Sequence, residues 1–422
     1  MSFRQRVALA GTLVAVSAVI ALLAVDVFET KPVPTAGPSA SAAGPSAAEP
    51  SPAANPSPAG TPVSSSIDVN FTDLPVIPVD PITQRIEIQD PRFVDATAAP
   101  HYIDDRTIAF AYDVTRSHIV ALDRKSRAYE IIYQAPVGVF INSLVGIDRQ
   151  LFWVEYPRRL QDNMPWQMKT MSLDDRRVRV FRQGVAEDQM LPPVFQVYRD
   201  RLTWLDKKIV DHVVVNGAYV YDPSTGKTDE IASAKLDEHD KNRRQGLFYI
   251  IQRPVEDGML IQQSVFERQA QGESLKTYEL VHYPYDPGAK PLSIARYTDS
   301  NLVDFTADRR WFVLCETGKV KVIDRATGAI RYEFVDTYNG RPLELSFDSP
   351  IISGEKLYFR RDMGIIFQLD LDTGKLFKVL DTSELVTKIM NSDGHFGFAI
   401  LDMAKGRFEF LLIDEHPPTV GS

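Results

Sequence analysis

Two kinds of polar turn alternate along the chain, and their strict order limits the possible folds more than any other feature. The first kind precedes a strongly apolar segment and begins at Asp105, Asp148, Asp200, Asp257, Asp308, Gly354 and Asp393. The second kind follows the next apolar segment, at Asp123, Asp174, Asp222, Asp286, Asp324, Asp372 and Asp414. Because the two kinds interleave, we divide the chain into seven units of four strands, A to D. The first turn joins A to B, and the second joins C to D.

Residues 310–335 of unit 5 show the pattern most clearly. They contain three short runs of alternating apolar residues, separated by a Thr-Gly turn and by the turn from Asp324 to Gly328. An aspartate side chain can accept hydrogen bonds from the backbone that follows it, and glycine tolerates the positive φ that closes such a loop. The stretch therefore predicts three consecutive antiparallel strands.

Four-stranded units at spacings of roughly 40–60 residues are typical of a β-propeller, in which each sheet forms one blade around a central channel. We predict an all-β fold, a seven-bladed β-propeller of four-stranded antiparallel blades. The last unit lacks a D strand, whereas residues 82–89 form a single strand ahead of the first unit. We expect this N-terminal strand to complete the last blade and close the ring, which removes an exposed edge. An irregular β-sandwich or two β domains are the alternatives.

The Asp-x-x-Thr-Gly turn recurs at Asp222–Gly226, Asp324–Gly328 and, offset, at Asp370–Gly374. In this motif the chain resembles bacterial extracytoplasmic propellers with quinoprotein-like or surface-layer-type repeats. Quinoprotein repeats usually carry a tryptophan shortly after the glycine, where this chain has Thr228, Tyr332 and Phe377. The resemblance therefore implies the fold and no quinone site.

The N-terminal region predicts export. Arg4 and Arg6 precede an uncharged apolar run from Val7 to Val25, which as a helix would be roughly 28 Å long and could span a bilayer. We predict a membrane anchor in residues 1–30, a Pro/Ala/Ser-rich disordered linker in 31–66 and the propeller in 67–422. The protein would then be a single-pass protein of the cytoplasmic membrane with its propeller on the extracytoplasmic or periplasmic side. The alternative is a cleaved signal peptide and a secreted protein.

Composition excludes several kinds of function. The 422 residues carry a formal net charge of −9 without a basic stripe, which argues against a nucleic-acid partner. The sequence contains no Gly-x-Ser-x-Gly, phosphate loop, EF-hand or His-Glu-x-x-His motif, and its seven histidines lack metal-ligand spacing. We therefore predict no cofactor and no metal site. The single cysteine, Cys315, lies on the apolar face of a strand with Trp311 and Val313, so we expect a buried structural thiol.

Four polar residues in or near predicted A strands are candidates for lining the channel. They are Asp95, Asn142, Asp304 and Glu344. In propeller hydrolases such carboxylates and amides hold a divalent ion at the channel mouth. The simpler interpretation is that a channel filled with water tolerates polar side chains.

Long connections form the other candidate site. Residues 157–166 and 264–275 lie between B and C strands, and residues 234–246 lie between units 3 and 4. These connections open at the same end of a propeller, where loops often bind partners. Five of their residues are of the types that anchor interfaces: Arg158, Arg159, Trp166, Arg243 and Arg244. We predict a non-catalytic module that binds a protein or glycan. The alternative is a propeller enzyme, a metal-dependent hydrolase or lyase with its site at the channel mouth.

Overall fold

The computed structural model describes residues 66–159, 162–187, 190–240, 242–269, 272–392 and 394–414. The predicted anchor and nearly all of the predicted linker lie outside these residues. Within them, no helix is long and apolar enough to cross a membrane.

The described chain consists of β-strands and three short 3-10 turns, Phe71–Asp73, Pro91–Phe93 and Met403–Lys405. Two strands precede the repeats, β1 (Ile67–Val69) and β2 (Gln84–Gln89). Unit 1 contains β3 (Tyr102–Ile103), β4 (Thr107–Asp113), β5 (Ser117–Asp123) and β6 (Tyr129–Gln134). Unit 2 contains β7 (Val139–Ile147), β8 (Gln150–Pro157), β9 (Met164–Ser172) and β10 (Val178–Ala186). Unit 3 contains β11 (Gln196–Tyr198), β12 (Arg201–Val210), β13 (Val213–Asp222) and β14 (Lys227–Asp237).

Unit 4 contains β15 (Gln245–Val255), β16 (Gly258–Glu267), β17 (Leu275–Pro284) and β18 (Leu292–Tyr297). Unit 5 contains β19 (Leu302–Ala307), β20 (Trp311–Glu316), β21 (Lys319–Asp324) and β22 (Ile330–Tyr338), followed by the short β23 (Arg341–Pro342). Unit 6 contains β24 (Phe347–Ser353), β25 (Lys356–Arg361), β26 (Ile365–Asp370) and β27 (Leu376–Asp381). Unit 7 contains β28 (Leu385–Val386), β29 (Met390–Ser392), β30 (His395–Asp402) and β31 (Arg407–Asp414).

Consecutive strands of each unit pair side by side in antiparallel sheets, except that β28 and β29 both pair with β30. Units 3 and 4 share one eight-stranded sheet, because the ends of β14 and β15 pair through Leu236 with Gly246 and Asp237 with Gln245. The other units form separate sheets. The prediction of an all-β chain of four-stranded antiparallel units is confirmed.

Neighbouring units pack against one another in order and return to the start. The first strands β3, β7, β11, β15, β19 and β24 contact each other in succession, and β29 contacts β3. In the part of the chain that the structure describes, hydrophobic clusters fill the interface between each unit and the next, and one of them joins unit 7 to unit 1. Such a ring of radial antiparallel sheets is a β-propeller.

The N-terminal segment 67–89, which we call the strap, runs along the outer edges of units 5, 6 and 7. Strand β1 pairs in parallel with β22, and the backbone around Ile77 exchanges hydrogen bonds with Lys378 on β27. Strand β2 then pairs antiparallel with β31, with Ile86 opposite Phe410. The predicted pairing of the N-terminal strand with the last unit is therefore observed over Gln84–Gln89. The earlier course of the strap along units 5 and 6 was not predicted.

The Asp-x-x-Thr-Gly turns have the expected geometry. Asp324 Oδ1 accepts a hydrogen bond of 2.9 Å from the backbone N–H of Thr327, and Gly328 has a φ of 71°. In unit 6 the same role belongs to Asp370, which accepts at 2.9 Å from the N–H of Thr373. The offset motif Asp370–Gly374 is therefore confirmed, and Asp372, which marks the C–D turn of unit 6 in the sequence, lies inside the loop that Asp370 caps.

Candidate functional site

Two ion pairs lie on or next to the inner strands, and each has one side chain that is only 3% exposed. Asp304 on β19 is only 2% exposed, and its Oδ1 accepts a hydrogen bond of 2.6 Å from Arg253 on β15. Its Oδ2 accepts at 2.9 Å from the backbone N–H of Ser349 on β24, where a β-bulge gives Ser349 a φ of 54°. Burial raises the pKa of Asp304, but the positive charges of Arg253 and Lys388 outweigh it, so the net pKa is lowered. This carboxylate stays ionised and joins three consecutive units.

Asp348 is held in a similar way. Arg360 on β25 donates to both of its oxygens, at 2.8 Å and 2.6 Å, and also donates at 2.6 Å to the carbonyl of Val386 in unit 7. The Arg360 side chain is 3% exposed, and that of Asp348 is 18% exposed. Both carboxylates are therefore paired with an arginine inside the ring. The first pair joins the inner strands of units 4 and 5, and Arg360 joins units 6 and 7 through the carbonyl of Val386.

The four predicted channel residues do not form one site. Asn142 is half-buried on β7 next to a β-bulge, and Glu344 is exposed in the connection between β23 and β24. Asp95 is exposed with a φ of 62°, and its N–H donates at 3.0 Å to the carbonyl of Met403. The prediction that Asp95 lines the channel is wrong, because the 3-10 turn Pro91–Phe93 places it beside the B–C turn of unit 7, next to Met403, and not on an inner strand. Among the described residues, no group of three His, Cys, Asp or Glu side chains could hold a metal ion.

The predicted thiol behaves as expected. Cys315 is fully buried in the cluster between units 5 and 6, together with Trp311 and Val313. Burial raises the pKa of its thiol well above the ordinary value. Its burial is therefore confirmed.

Two of the three predicted connections are bonded to each other. Ser274, which follows β16, donates through Oγ at 2.5 Å to the carbonyl of Arg244 and through its N–H at 2.9 Å to that of Asn242. Arg268 donates at 3.3 Å to the carbonyl of Arg243. We call residues 238–240, 242–244, 268–269 and 272–274 the loop surface. Its two halves belong to the D–A connection of units 3 and 4 and to the B–C connection of unit 4.

Long strands support this surface. Strands β12 to β17 contain 10 or 11 residues each, whereas β19 to β21 of unit 5 contain 6 each. The junction between β14 and β15 depends on Gly246, which has a φ of 124° and where any Cβ would lie 2.0 Å from the carbonyl oxygen of Lys235. Only glycine fits that backbone without displacement.

The arginines of the loop surface differ in how far their side chains are exposed to solvent. Arg243 is exposed. The Arg244 side chain is only 14% exposed, lies 3.3 Å from Glu238, and stacks over Phe266 with 5.7 Å between the guanidinium carbon and the ring centre. Arg243 and Arg268 are thus the exposed arginines of this surface, although the Arg268 guanidinium also donates to the Arg243 carbonyl and lies 3.9 Å from Asp237, and Arg244 fixes the loop from inside.

The described residues of the third connection are 158–159 and 162–163, and one of their arginines is bound to unit 1. Arg158 forms a double ion pair with Asp113 of unit 1, so its guanidinium is already occupied, whereas Arg159 is exposed. Trp166 lies on β9 and is 4% exposed in the core between units 2 and 3. The prediction that Trp166 belongs to an exposed loop is wrong, because β9 begins at Met164 and its alternation turns this indole inward over Gly184.

No protein-family model matches the sequence, and no curated protein matches it either. Several solved structures are similar at low identity. Oligogalacturonate lyase from Vibrio parahaemolyticus is 11% identical with a TM-score of 0.46, covering 80% of this chain and 98% of the lyase. BamB from Moraxella catarrhalis is 11% identical with a TM-score of 0.42, covering 78% and 99%. Saccharomyces cerevisiae Sqt1 is 9% identical with a TM-score of 0.45, covering 78% and 98%. None of their functions is transferred to this chain.

Proposed function

We propose that this chain is a membrane-tethered, extracytoplasmic β-propeller of seven blades that binds a protein partner without catalysing a reaction. The observation that carries the proposal is the loop surface, in which two long connections are fixed to each other by hydrogen bonds while Arg243 and Arg268 remain accessible. A fixed surface loses little conformational entropy on binding, and arginine is among the residues that contribute most to interfaces.

The state of the inner carboxylates also supports binding over catalysis. A general base must be free to accept a proton from a substrate. Asp304 and Asp348 are each neutralised by an arginine that is held in the ring. These pairs give both residues a structural role that requires no substrate.

The blade count and the tether are further parts of the proposal. Seven blades are supported by the hydrophobic clusters that separate the seven four-stranded units. A tether is supported by the uncharged run from Val7 to Val25 behind two arginines. N-terminal sequencing of protein extracted from membranes tests the tether, and a mature start at Val25 or later would contradict it.

Partner capture tests the binding function. We expect Arg243→Ala/Arg268→Ala to lose most of the capture of extracytoplasmic proteins in a cross-linking pull-down. Arg331→Ala/Lys290→Ala removes the same charge from exposed positions away from the loop surface and should capture like the wild type. Melting temperatures should agree within about 2 °C, because exposed side chains contribute little to stability.

A second variant pair distinguishes partner binding from the alternative function, an enzyme. Asp304→Asn/Glu344→Gln changes the inner strand and the adjacent connection and leaves the loop surface intact. If Asp304→Asn/Glu344→Gln loses capture and Arg243→Ala/Arg268→Ala retains it, the proposal is contradicted. That result would favour a metal-dependent hydrolase or lyase.

A further inference from the structure

A cavity of about 720 Å³ lies where the A–B turns of units 2 to 7 converge. It is at the opposite end of the sheets from the loop surface, because antiparallel strands place A–B turns and B–C connections at opposite ends. Its volume is within the range of ordinary ligand sites. On the side of units 6 and 7 the wall contains Gly354 and Gly394, whose missing side chains leave the cavity open.

Acidic side chains from four successive units line this cavity. They are Asp148, Asp200, Glu256 and Asp308, and the accompanying cations are Arg199 and Arg309. Both arginines pair with the same carboxylate, that of Glu256. Four carboxylates face two guanidiniums, so the wall has an excess of negative charge.

Two of these four carboxylates, those of Asp148 and Asp200, are free to bind a ligand. Asp308 Oδ1 accepts hydrogen bonds from the backbone N–H groups of Arg310 and Trp311, at 2.8 Å and 2.6 Å. In the described part of the chain, Asp148 has no ion pair or hydrogen bond through its carboxylate, and Asp200 has only a contact of 3.9 Å with Arg201. Asp148 and Asp200 therefore supply the unneutralised charge.

A buried hydroxyl in the same wall also lacks a partner. Ser392 lines the cavity and is only 4% exposed, yet among the described residues its Oγ has no hydrogen-bond partner. A buried polar group without a partner is costly, and such groups in proteins are nearly always satisfied. A ligand that carries N–H donors into the cavity would satisfy this oxygen.

We propose that the cavity binds a flexible chain that carries amino or guanidino groups. Asp148 and Asp200 would pair with the positive charges, and Ser392 Oγ would accept a hydrogen bond from the group that enters furthest. The same chemistry is available in a free polyamine and in a lysine-rich peptide segment. The site is separate from the loop surface, so its test does not depend on the proposed function.

Calorimetric titration of the full chain with spermine and with pentalysine tests the proposal. We expect saturable binding of at least one probe. Asp148→Asn/Asp200→Asn should weaken it about tenfold, because two partly exposed charge pairs are removed, and Ser392→Ala should weaken it about threefold. Asp229→Asn/Glu344→Gln removes the same charge outside the cavity and should change affinity less than about twofold.

The outcomes separate clearly. Tighter binding of spermine assigns a free polyamine, and tighter binding of pentalysine assigns a basic peptide segment; both support the site. An equal loss in the control pair would show that only the overall charge matters and would overturn the proposal. The absence of saturable binding for both probes would also overturn it, as would preferential binding of pentaglutamate that Arg199→Gln/Arg309→Gln abolishes.

Discussion

Arg325 shows how one side chain joins two units. It follows the turn residue Asp324, donates at 2.8 Å to the carboxylate of Asp257 in unit 4 and also donates to the carbonyl of Asp308. Its guanidinium lies 4.7 Å from the ring centre of Phe312. Arg124 has the equivalent position in unit 1 and donates at 2.6 Å to the carbonyl of Asp104. The turn aspartates could be predicted from sequence, whereas the direction of the following arginine depends on the neighbouring unit.

We predict that Arg325→Ala lowers the free energy of unfolding by about 2 kcal/mol, since it removes the charged hydrogen bonds that the largely buried Arg325 side chain donates to the Asp257 carboxylate and the Asp308 carbonyl. Chemical denaturation measures the change. Arg331→Ala serves as the control, because Arg331 is exposed and contacts only the Tyr332 ring among the described interactions. Equal effects of the two substitutions would contradict a specific role of Arg325.

His101 makes stability depend on pH. Burial lowers its pKa to about 4, and a backbone hydrogen bond at Ala99 opposes this shift only in part. In the unfolded chain His101 binds a proton below the usual histidine pKa of about 6.5, whereas in the folded chain it does so only near pH 4. The stability contribution is therefore complete above pH 6.5 and is lost progressively as the pH falls to 4.

We predict that His101→Gln reduces the acid destabilisation between pH 7 and 4.5, by up to about 3 kcal/mol. Thermal melting across this pH range measures the difference between variant and wild type. His239→Gln, at an exposed position, should follow the wild-type profile. If the stability of His101→Gln falls with pH in parallel with that of the wild type, His101 is not the source of the acid destabilisation.

At the scale of elements, polar networks repeat between sheets. Glu155 on β8 accepts hydrogen bonds from Trp153 at 2.9 Å and Lys169 at 2.6 Å, and Lys169 also donates at 3.2 Å to Tyr133 of the preceding unit. In unit 5, Glu316 accepts from Lys321 at 2.8 Å and from Tyr297 of unit 4 at 2.9 Å. The two tyrosines lie 36 residues from Lys169 and 19 residues from Glu316, so period-two alternation could not identify them as partners.

One large side chain of the strap, Phe71, enters the core between units 5 and 6. Phe71 is fully buried, with its ring centre 4.8 Å from that of Phe347 and 5.1 Å from that of Phe367. Next to it, Arg361 donates at 3.2 Å to the hydroxyl of Thr72 and at 3.0 Å to Asp336. Burial raises the pKa of Asp336 and the guanidinium lowers it, with a net increase.

We predict that Phe71→Ala destabilises the protein by about 3–4 kcal/mol, the usual cost of removing a buried aromatic side chain. Denaturant titration gives the magnitude, and limited proteolysis should show faster cleavage within 67–82. Val79→Ala, in the same segment but 77% exposed, should have almost no effect. Unchanged stability of Phe71→Ala would mean that the strap adds nothing to the fold.

Apolar sequence runs predicted the B and C strands well, because these strands lie within each sheet, and B strands such as β20 and β30 are buried along nearly their whole length. They failed for the A strands and for the tips of the long strands. The A strands β3 and β11 contain 2 and 3 residues, too few to show a period. Strand β12 continues through polar Asp206, Lys207 and Lys208, which pair with β13 beyond the end of the core. The loop surface was predicted in part, since length alone reveals excess residues but not which loops bond to each other.

For the whole molecule, the ring is complete only when β2 pairs with β31. We predict that deletion of residues 82–90 lowers the melting temperature of all units together, because it removes an outer strand and the buried Ile86 and Ile88. Deletion of residues 39–58 should leave the melting temperature unchanged, since their composition cannot form a core. Calorimetry of the two deletions provides the comparison, and equal melting temperatures would contradict closure by β2.

The pairing of β2 with β31 also imposes an order on synthesis. Thr83 and Leu412, which are hydrogen-bonded, are 329 residues apart in the chain. At 5–20 residues per second, the early strand waits on the order of half a minute for its partner to be made. During that time β2 is an unpaired edge, which is a target for chaperones and a hazard for aggregation. A chain that is cut short before unit 7 lacks β31 and keeps that edge unpaired permanently.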